Sequence, residues 1–449
     1  MAGKVIFLCV KCALDDRSGA AHSIRNILRT LAEAGWVAKS LTMTLFDGQA
    51  EYPRQKLLGA QNAVPESEGQ LFRLQRHGVE HTMFYTHSSV DRNLTKEEAQ
   101  GFYQQARSIL QKEQPDVIVM FGQSPLCRHL INLAGSVCRS LVFYLANPSY
   151  TSAELFEPFD QIFMPSNFLA EYYQEKIGIQ GEVIRTPVAP EQHVMPHEVL
   201  GVRNIEARKH GFITFMNPSL PKGGALFGRL VTMAERERPD LLFLGVEGRM
   251  TDEDWARAGL DLANLRNLWW IPNQDYVRSI YERTSVLLFP SFWVEPSGRS
   301  IAEAQLGGIP VLGSNHSGIP EQLNGGGVLF DIPERCREKF SEVPTEEEVR
   351  PWLDIIYKLM DDDQCYQEAT NWALRGSSIF QPERVKQEII DYFENLPDTH
   401  EKRTQVRTTM PSNNNEDQAS SGNKIGRNAQ CPCGSGKKVK NCCKEKVEA

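Results

Sequence analysis

Short, continuously apolar runs recur along the chain, nearly all ended by glycine, proline or serine and separated by longer stretches of helical periodicity. In the first half they are KVIFLCV from Lys4, DVIVMFG from Asp116, SLVFYLA from Ser140 and QIFMPS from Gln161. In the second half they are FITFMNP from Phe212, LLFLGV from Leu241, LWWIP from Leu268, VLLFPS from Val286 and IPVLGS from Ile309. Runs this short, rich in β-branched and aromatic residues, predict buried parallel strands rather than helices. Their alternation with helical stretches predicts α/β layers.

The two series part between Val188 and Val202, where VAPEQHVMPHEVLGV interrupts the pattern with prolines and polar residues. This predicts two domains, residues 1–190 and 191–380. QPERVKQEIIDYFENL, from Gln381 to Leu396, has the period of an amphipathic helix, which sets off residues 381–397. Residues 398–425 are polar and nearly free of large apolar side chains, so a disordered tether is expected before a separate module at 426–449.

Composition narrows the function classes. The chain has 449 residues, 41% hydrophobic and 24% charged, too long for one typical core and too apolar for wholesale disorder. A formal net charge of -8 excludes a main body that wraps nucleic acid through a global basic field. No run of about 18 apolar residues occurs and MAGKVIFLCVKC enters a strand-like run directly, so a cytoplasmic protein without a transmembrane segment is expected. No P-loop, nucleophile elbow or dinucleotide fingerprint is present.

The candidate chemistry gathers after the strands of the second half. In EPSGRSIAEA, Glu295 and Glu303 stand eight positions apart. On one continuous helix they would point about 80° apart. Pro296 and Gly298 instead place Glu295 on a loop and start the helix near Arg299 or Ser300, with Glu303 one turn inside. Such a loop after a parallel strand offers free amides and the positive end of a helix, a site for a diphosphate. Glu303 would then accept hydrogen bonds from ribose hydroxyls. Arg299 is read either as a phosphate contact or as the partner of a neighbouring acid. After FITFMN comes PSLPKGG, where Lys222 would neutralise a phosphate and Gly223 allows close backbone approach. Gly248 in VEGR and Gly318 in NHSGIPE follow the next strands in the same way. Two carboxylates, one lysine and several glycine turns at successive strand ends describe a nucleotide-sugar pocket.

The order PKGG, FLGVEG and FPSFWVEPSGRSIAEAQLGGIPVLGSNHSGIPE resembles the C-terminal half of family 4 glycosyltransferases of the GT-B fold, most closely from Gly211 to Asp331. That family carries two glutamates with the spacing of Glu295 and Glu303. The resemblance implies two Rossmann-like domains facing a cleft, a nucleotide-diphosphate sugar donor held mainly by the second, and transfer to an acceptor with retention of configuration. It implies that Glu295 contacts the donor sugar, Glu303 the ribose, and Lys222 the diphosphate, assisted by the amides around Ser297 and Gly298. It also implies that no metal is needed at the catalytic site and that the final helix crosses back to the first domain. DRSGAAHSIRNILRTLAEAGW, from Asp15, resembles the family's first loop and helix, with Gly19 approaching the cleft. Two features depart from the pattern. No arginine precedes Lys222 in MNPSLPKGG, and FYLANPSY has Asn147 where many members have a histidine-aspartate pair. The second departure motivates a rival reading, a sugar-nucleotide-binding or scaffold protein recruited through its C-terminal module. Nothing in the sequence names the acceptor, although the polar, aromatic segment from His77, HGVEHTMFYTHSSVDRN, lies where acceptor loops are expected.

Six of the ten cysteines are scattered and read as reduced thiols; Cys431, Cys433, Cys442 and Cys443 crowd together as C-x-C, eight residues, C-C. Four thiolates at this spacing predict a tetrahedral, structural Zn²⁺ site with no open coordination position. CPCGSGKKVKNCCK, preceded by GRN from Gly426, resembles the SEC-C motif, which implies docking to a protein or ribosome partner. From Gly426 onward six Lys or Arg residues stand against two Glu, so this end is basic in an acidic chain.

Overall fold

All nine apolar runs form strands. The computed structural model describes residues 3–48, 50–52, 68–194, 211–248, 255, 262, 264–274 and 277–399. Residues 400–425 of the tether, the cysteine module with Cys431, Cys433, Cys442 and Cys443, and residues 195–202 of the expected interdomain linker lie outside the described residues.

The first half supplies β1 (Lys4–Leu8), β2 (Val37–Met43), β3 (Leu71–Arg76), β4 (Val79–Phe84), β5 (Val117–Met120), β6 (Ser140–Tyr144), β7 (Gln161–Met164) and β8 (Glu182–Val183). They make one sheet in the order β3-β4-β2-β1-β5-β6-β7-β8, parallel throughout except for the β3–β4 hairpin. The second half supplies β9 (Phe212–Met216), β10 (Phe243–Val246), β11 (Leu268–Ile271), β12 (Thr284–Phe289), β13 (Val311–Ser314) and β14 (Val328–Phe330). These make a wholly parallel sheet in the order β11-β10-β9-β12-β13-β14.

The helices are α1 (Gly19–Glu33), α2 (Lys96–Glu113), α3 (Pro125–Ala134) and α4 (Asn167–Ile177) in the first half. Then come α5 (Gly224–Glu237), α6 (Arg278–Tyr281), α7 (Arg299–Leu306), α8 (Ile319–Leu323), α9 (Glu334–Glu338), α10 (Glu346–Asp361), α11 (Asp363–Gly376) and α12 (Pro382–Glu394).

This strand order decides where a ligand can sit. The second sheet is doubly wound, with its direction of progress reversing between β9 and β12, so the loops leaving those two strands diverge and open a crevice. Lys222 follows β9 and Glu295 follows β12. In the first sheet the corresponding reversal lies between β1 and β5, and Gly19 follows β1. Topology thus sets Lys222, Glu295 and Gly19 at switch points, however far apart they are in sequence.

The last helix joins the two halves. Val385, Ile389, Tyr392 and Phe393 of α12 share one buried cluster with Ile24, Ile27, Leu28 and Leu31 of α1 and with Val5 and Phe7 of β1. Phe393 meets the edge of Trp36 at 6.1 Å. Val385, Ile389 and Phe393 each contribute about 1.5–3 kcal/mol by leaving water. Just before α12, Phe380 packs with Val188 and with Ala302 and Leu306 of α7. The helix carrying Glu303 is therefore wedged by the segment that crosses between domains. On the opposite rim, the Glu321 carboxylate of α8 accepts the amides of Asn167 and Phe168 at 2.9 and 2.7 Å, a side chain of one domain satisfying a helix start of the other.

Candidate active site

Strand β9 ends at Met216, and Asn217 turns the chain with φ 55 into a short 3-10 segment, Leu220–Lys222. That segment aims Lys222 across the crevice, where its Nζ contacts Glu295 Oε1. Ser291 Oγ donates to the same carboxylate oxygen at 2.7 Å. Glu295 is only 3% exposed, and among the described residues its Oε2 has no hydrogen-bond partner. The loop holding it is fixed from below: the Glu295 amide donates to Ser317 Oγ at 2.9 Å, and its carbonyl accepts the Gly318 amide at 3.1 Å. The carboxylate that faces Lys222 is thus pinned at backbone and side chain.

Two of the expected glycines serve this packing instead of facing the crevice. A Cβ on Gly318 would lie 2.7 Å from the Glu295 carbonyl oxygen. Gly223 has φ +90, and a Cβ there would lie 1.8 Å from the Pro290 carbonyl oxygen. Gly223→Ala should therefore lose about 2–4 kcal/mol from a left-handed backbone and overpacking combined. A fall in the urea midpoint checks this, and an unchanged midpoint would show that the turn relaxes freely. Gly298 likewise packs on Ile301, which a Cβ would approach to 2.6 Å.

Helix α7 begins at Arg299 and its Gly298 cap supplies no side-chain acceptor; no acid lies in its first turn. Elsewhere Thr95, Ser124, Ser166, Thr345 and Asp362 cap α2, α3, α4, α10 and α11 with side-chain oxygens. Helix α1 resembles α7, with no side-chain cap, and a Cβ on Gly19 at its start would meet nothing within 4 Å. Two uncapped helix starts facing one crevice favour an anion there.

One turn into α7, Glu303 is 2% exposed. Tyr281 of α6 donates to its Oε2 at 2.6 Å, and burial together with that carboxylate pushes the Tyr281 hydroxyl well up, so it stays a donor. Arg299 Nε stands 3.2 Å from Glu303 Oε1, yet Oε1 and Arg299 Nη1 are both buried without a hydrogen bond. A buried polar atom left unmatched costs about 1–3 kcal/mol, and here one acceptor and one donor wait side by side.

Two adjoining cavities occupy the crevice. One, of about 240 Å³, is lined by Gly19, Lys222, Gly248, Glu295, Ser297, Arg299 and Glu303 among others. The second, of about 530 Å³, shares Gly19, Lys222, Glu295, Ser297 and Arg299 and adds Asn147 and the 36% exposed ring of Trp293. Gly223, Gly298 and Gly318 line neither. Sequence reasoning missed Asn217, which lines both, and Tyr281 and Ser291, which hold the carboxylates. An asparagine before proline at a strand end was a usable signal for Asn217. A one-turn helix leaves no periodic trace of Tyr281. Gly248 owes its place to Asn217, whose Oδ1 would stand 1.9 Å from a Cβ there.

His22 lines the smaller cavity but is committed on both sides of its ring. Nε2 lies 2.8 Å from the Asp16 carbonyl, and Nδ1 lies 2.7 Å from Arg25 Nη2 and 3.1 Å from Gln192 Nε2. Burial, with Arg299 and Arg25 nearby, holds its pKa well below the usual value, so the ring is neutral and organises the β1–α1 loop.

With this geometry in view, the likeness to known proteins is specific. Residues 229–350 match the family described as glycosyl transferases group 1. The fold is GT-B. Sucrose-phosphate synthase from Thermosynechococcus elongatus superposes with a TM-score of 0.63 at 15% identity, over 88% of this chain and 99% of that one. Anabaena HepE in complex with UDP-glucose superposes with a TM-score of 0.59 at 17% identity, over 88% and 100%. The O-antigen chain mannosyltransferase B of Escherichia coli is 30% identical over 23% of this chain and 27% of its own length. Residues 427–445 match the SEC-C motif. The protein translocase subunit SecA of Clostridium acetobutylicum is 35% identical over 25% of this chain and 17% of its own length. The chain thus spans well under a third of either relative. Among the described residues of this GT-B chain, no group of three or more His, Cys, Asp or Glu side chains could hold a metal ion. No helix among them is long and apolar enough to cross a membrane.

Proposed function

We propose that the protein transfers a glycosyl group from a nucleotide-diphosphate sugar to an acceptor hydroxyl, with retention of configuration. The observation that carries this reading is the convergence of Lys222, the open start of α7, and two buried carboxylates with spare acceptor oxygens on one GT-B cleft. The group 1 match and the UDP and UDP-glucose complexes of the solved relative support it.

The diphosphate lies against the α7 amides and Lys222, and Glu303 Oε1 receives a ribose hydroxyl. Glu295 Oε2 receives a hydroxyl of the sugar. As the bond from the anomeric carbon to the diphosphate oxygen breaks, its electron pair leaves with the nucleoside diphosphate. Lys222 and the helix start stabilise that growing charge. The acceptor oxygen bonds to the same face of the anomeric carbon, and its proton passes to the departing phosphate oxygen. At the C-terminus, Cys431, Cys433, Cys442 and Cys443 would hold a structural Zn²⁺, which fits a four-thiolate donor set. The basic module around it would dock a protein or ribosome partner, a reading supported by the SecA likeness.

Calorimetry with UDP-, GDP- and ADP-sugars tests the donor site. One of them should bind with micromolar to millimolar affinity, and donor hydrolysis or transfer should accompany it. Binding without turnover would favour the scaffold reading that Asn147 suggests, and absence of binding by all three would overturn both.

A further inference from the structure

The larger cleft cavity, of about 530 Å³, runs on into a third of about 240 Å³ on the first-domain side, the two sharing Ser18, Asp47, Tyr144 and Asn147 among others. The third cavity lies where the first sheet reverses direction: Ser18 follows β1, Gln123 follows β5 and Asn147 follows β6. Together the two lead from Glu295 and Lys222 into the first domain, and Glu303 lines neither. The segment from His77, where acceptor loops are expected, lines neither as well; its Asp91 instead pairs with Lys11 at 3.0 Å.

Trp293 gives this passage an aromatic wall. The amides of Phe292 and Trp293 both donate to the Pro221 carbonyl, at 3.0 and 2.9 Å, which ties the Glu295 loop to the segment carrying Lys222. Phe292 is 1% exposed, whereas Trp293 stays open to the cavity with its ring braced against Phe340 at 6.1 Å. The other large exposed apolar side chains among the described residues, Val37, Trp269, Leu329 and Trp372, line none of the cleft cavities. The cations around the passage are already matched. Lys222 faces Glu295, Arg299 faces Glu303 at 3.2 Å, and Lys11, the one cation among the described residues lining the third cavity, faces Asp91. Asp15 and Asp47 line the third cavity as well. What is left over is neutral: among the described residues the Ser18 hydroxyl, the Gln123 amide and Asn147 Nδ2 have no hydrogen-bond partner.

We propose that the acceptor is an uncharged sugar whose ring lies on the Trp293 indole and whose hydroxyls reach Ser18, Asn147 and Gln123. The inference rests on the glycosyltransferase reading for the word acceptor, and on the cavities alone for the sugar. A pyranose offers a face of weakly positive C–H groups, which the negative face of an indole attracts, and a rim of hydroxyls that both donate and accept. A few neutral polar groups in a cavity of this size, set beside an aromatic wall, suit such a ligand. A phosphate-bearing acceptor would meet two carboxylates on the first-domain side and a lysine already paired with a third. A lipid chain would cover the Ser18, Asn147 and Gln123 groups without satisfying them.

The test is saturation-transfer NMR titration of the methyl glycosides of glucose, mannose, galactose and N-acetylglucosamine into the full chain and its Trp293→Ala, Trp293→Phe and Ser18→Ala variants, each verified as folded by circular dichroism. At least one glycoside should bind the parent with millimolar affinity. That affinity should fall about tenfold in Trp293→Ala, stay within about threefold in Trp293→Phe, which keeps an aromatic face, and fall about threefold or more in Ser18→Ala. Glucose 6-phosphate should bind no more tightly than methyl glucoside. Ser18 does not line the cavity that holds Glu303, so loss in Trp293→Ala without any loss in Ser18→Ala would put the sugar in the donor's place and overturn the inference. Equal affinity in the parent and Trp293→Ala would also overturn it. So would glucose 6-phosphate binding about tenfold more tightly than the glycoside, or no glycoside binding at all. The titration uses no nucleotide, so failure of every nucleotide sugar to bind leaves it unaffected and the two readings fail separately.

Discussion

Lys222→Ala should lower the rate of transfer at saturating donor by about 10²–10³-fold, the usual cost of removing one preorganised donor from a developing oxyanion. The geometry makes Lys222 a strong candidate for such an effect. It is the lysine of the larger cleft cavities, it leaves β9 at the switch point, and no arginine stands beside it in MNPSLPKGG to share the charge. Its ammonium is held by Glu295, which in turn is held by Ser291. A lysine fixed in advance spends little entropy when the diphosphate arrives, and its worth grows as the leaving group gains charge. The rate should therefore fall more than donor affinity does, a split read from kcat and KM together. Lys222→Arg keeps the charge on a longer, planar group and should recover only part of the rate. A kcat within tenfold of the parent for Lys222→Ala would remove Lys222 from the chemistry and leave the helix start to carry it alone.

The features visible in sequence are those in which one local signal has one structural meaning. Buried parallel strands must be apolar on both faces, so all nine continuous runs stood out. Strand β2 did not, because Lys39, Ser40 and Thr42 interrupt it; yet Ser40 and Thr42 are buried, and Ser40 Oγ lies 2.8 Å from His81 Nδ1 on the neighbouring strand. The β3–β4 hairpin was hidden by its arginines and glutamine. Its turn, His77-Gly78, has φ 50 and 76, the two positive values that a tight two-residue hairpin requires. The eight-residue spacing of Glu295 and Glu303 was informative because Pro296 and Gly298 exclude a single helix, and α7 does begin at Arg299. What stayed hidden depends on contacts between distant segments. Nothing near Gly318 reveals that the Glu295 carbonyl lies above it. Arg299, read as touching either phosphate or an acid, stands against Glu303 with one nitrogen still unmatched.

That unmatched pair yields the second large effect. Glu303→Gln should weaken nucleotide binding by about 10–100-fold, the loss of one charge-assisted hydrogen bond or two. The substitution preserves volume and an oxygen for the Tyr281 hydroxyl, so the side chain has a reason to stay in place. It removes the negative charge beside Arg299, which should also cost stability; Arg299 keeps some contact with water, so the loss should fall well short of that for a fully buried pair. Affinity alone would not separate a ribose contact from a general loosening of α7. The separation comes from the ligand. UDP and 2′-deoxy-UDP differ by one hydroxyl, and the parent should prefer UDP by about 10-fold or more if Glu303 Oε1 receives it. In Glu303→Gln that preference should shrink to about twofold or less, because the two changes remove the same interaction. If both proteins prefer UDP equally, Glu303 does not hold the 2′-hydroxyl, and its role reduces to pairing Arg299 and Tyr281 beneath the helix start. The same cycle with 3′-deoxy-UDP decides whether the carboxylate spans both hydroxyls, since a bidentate contact loses its preference in both series and a single contact in only one.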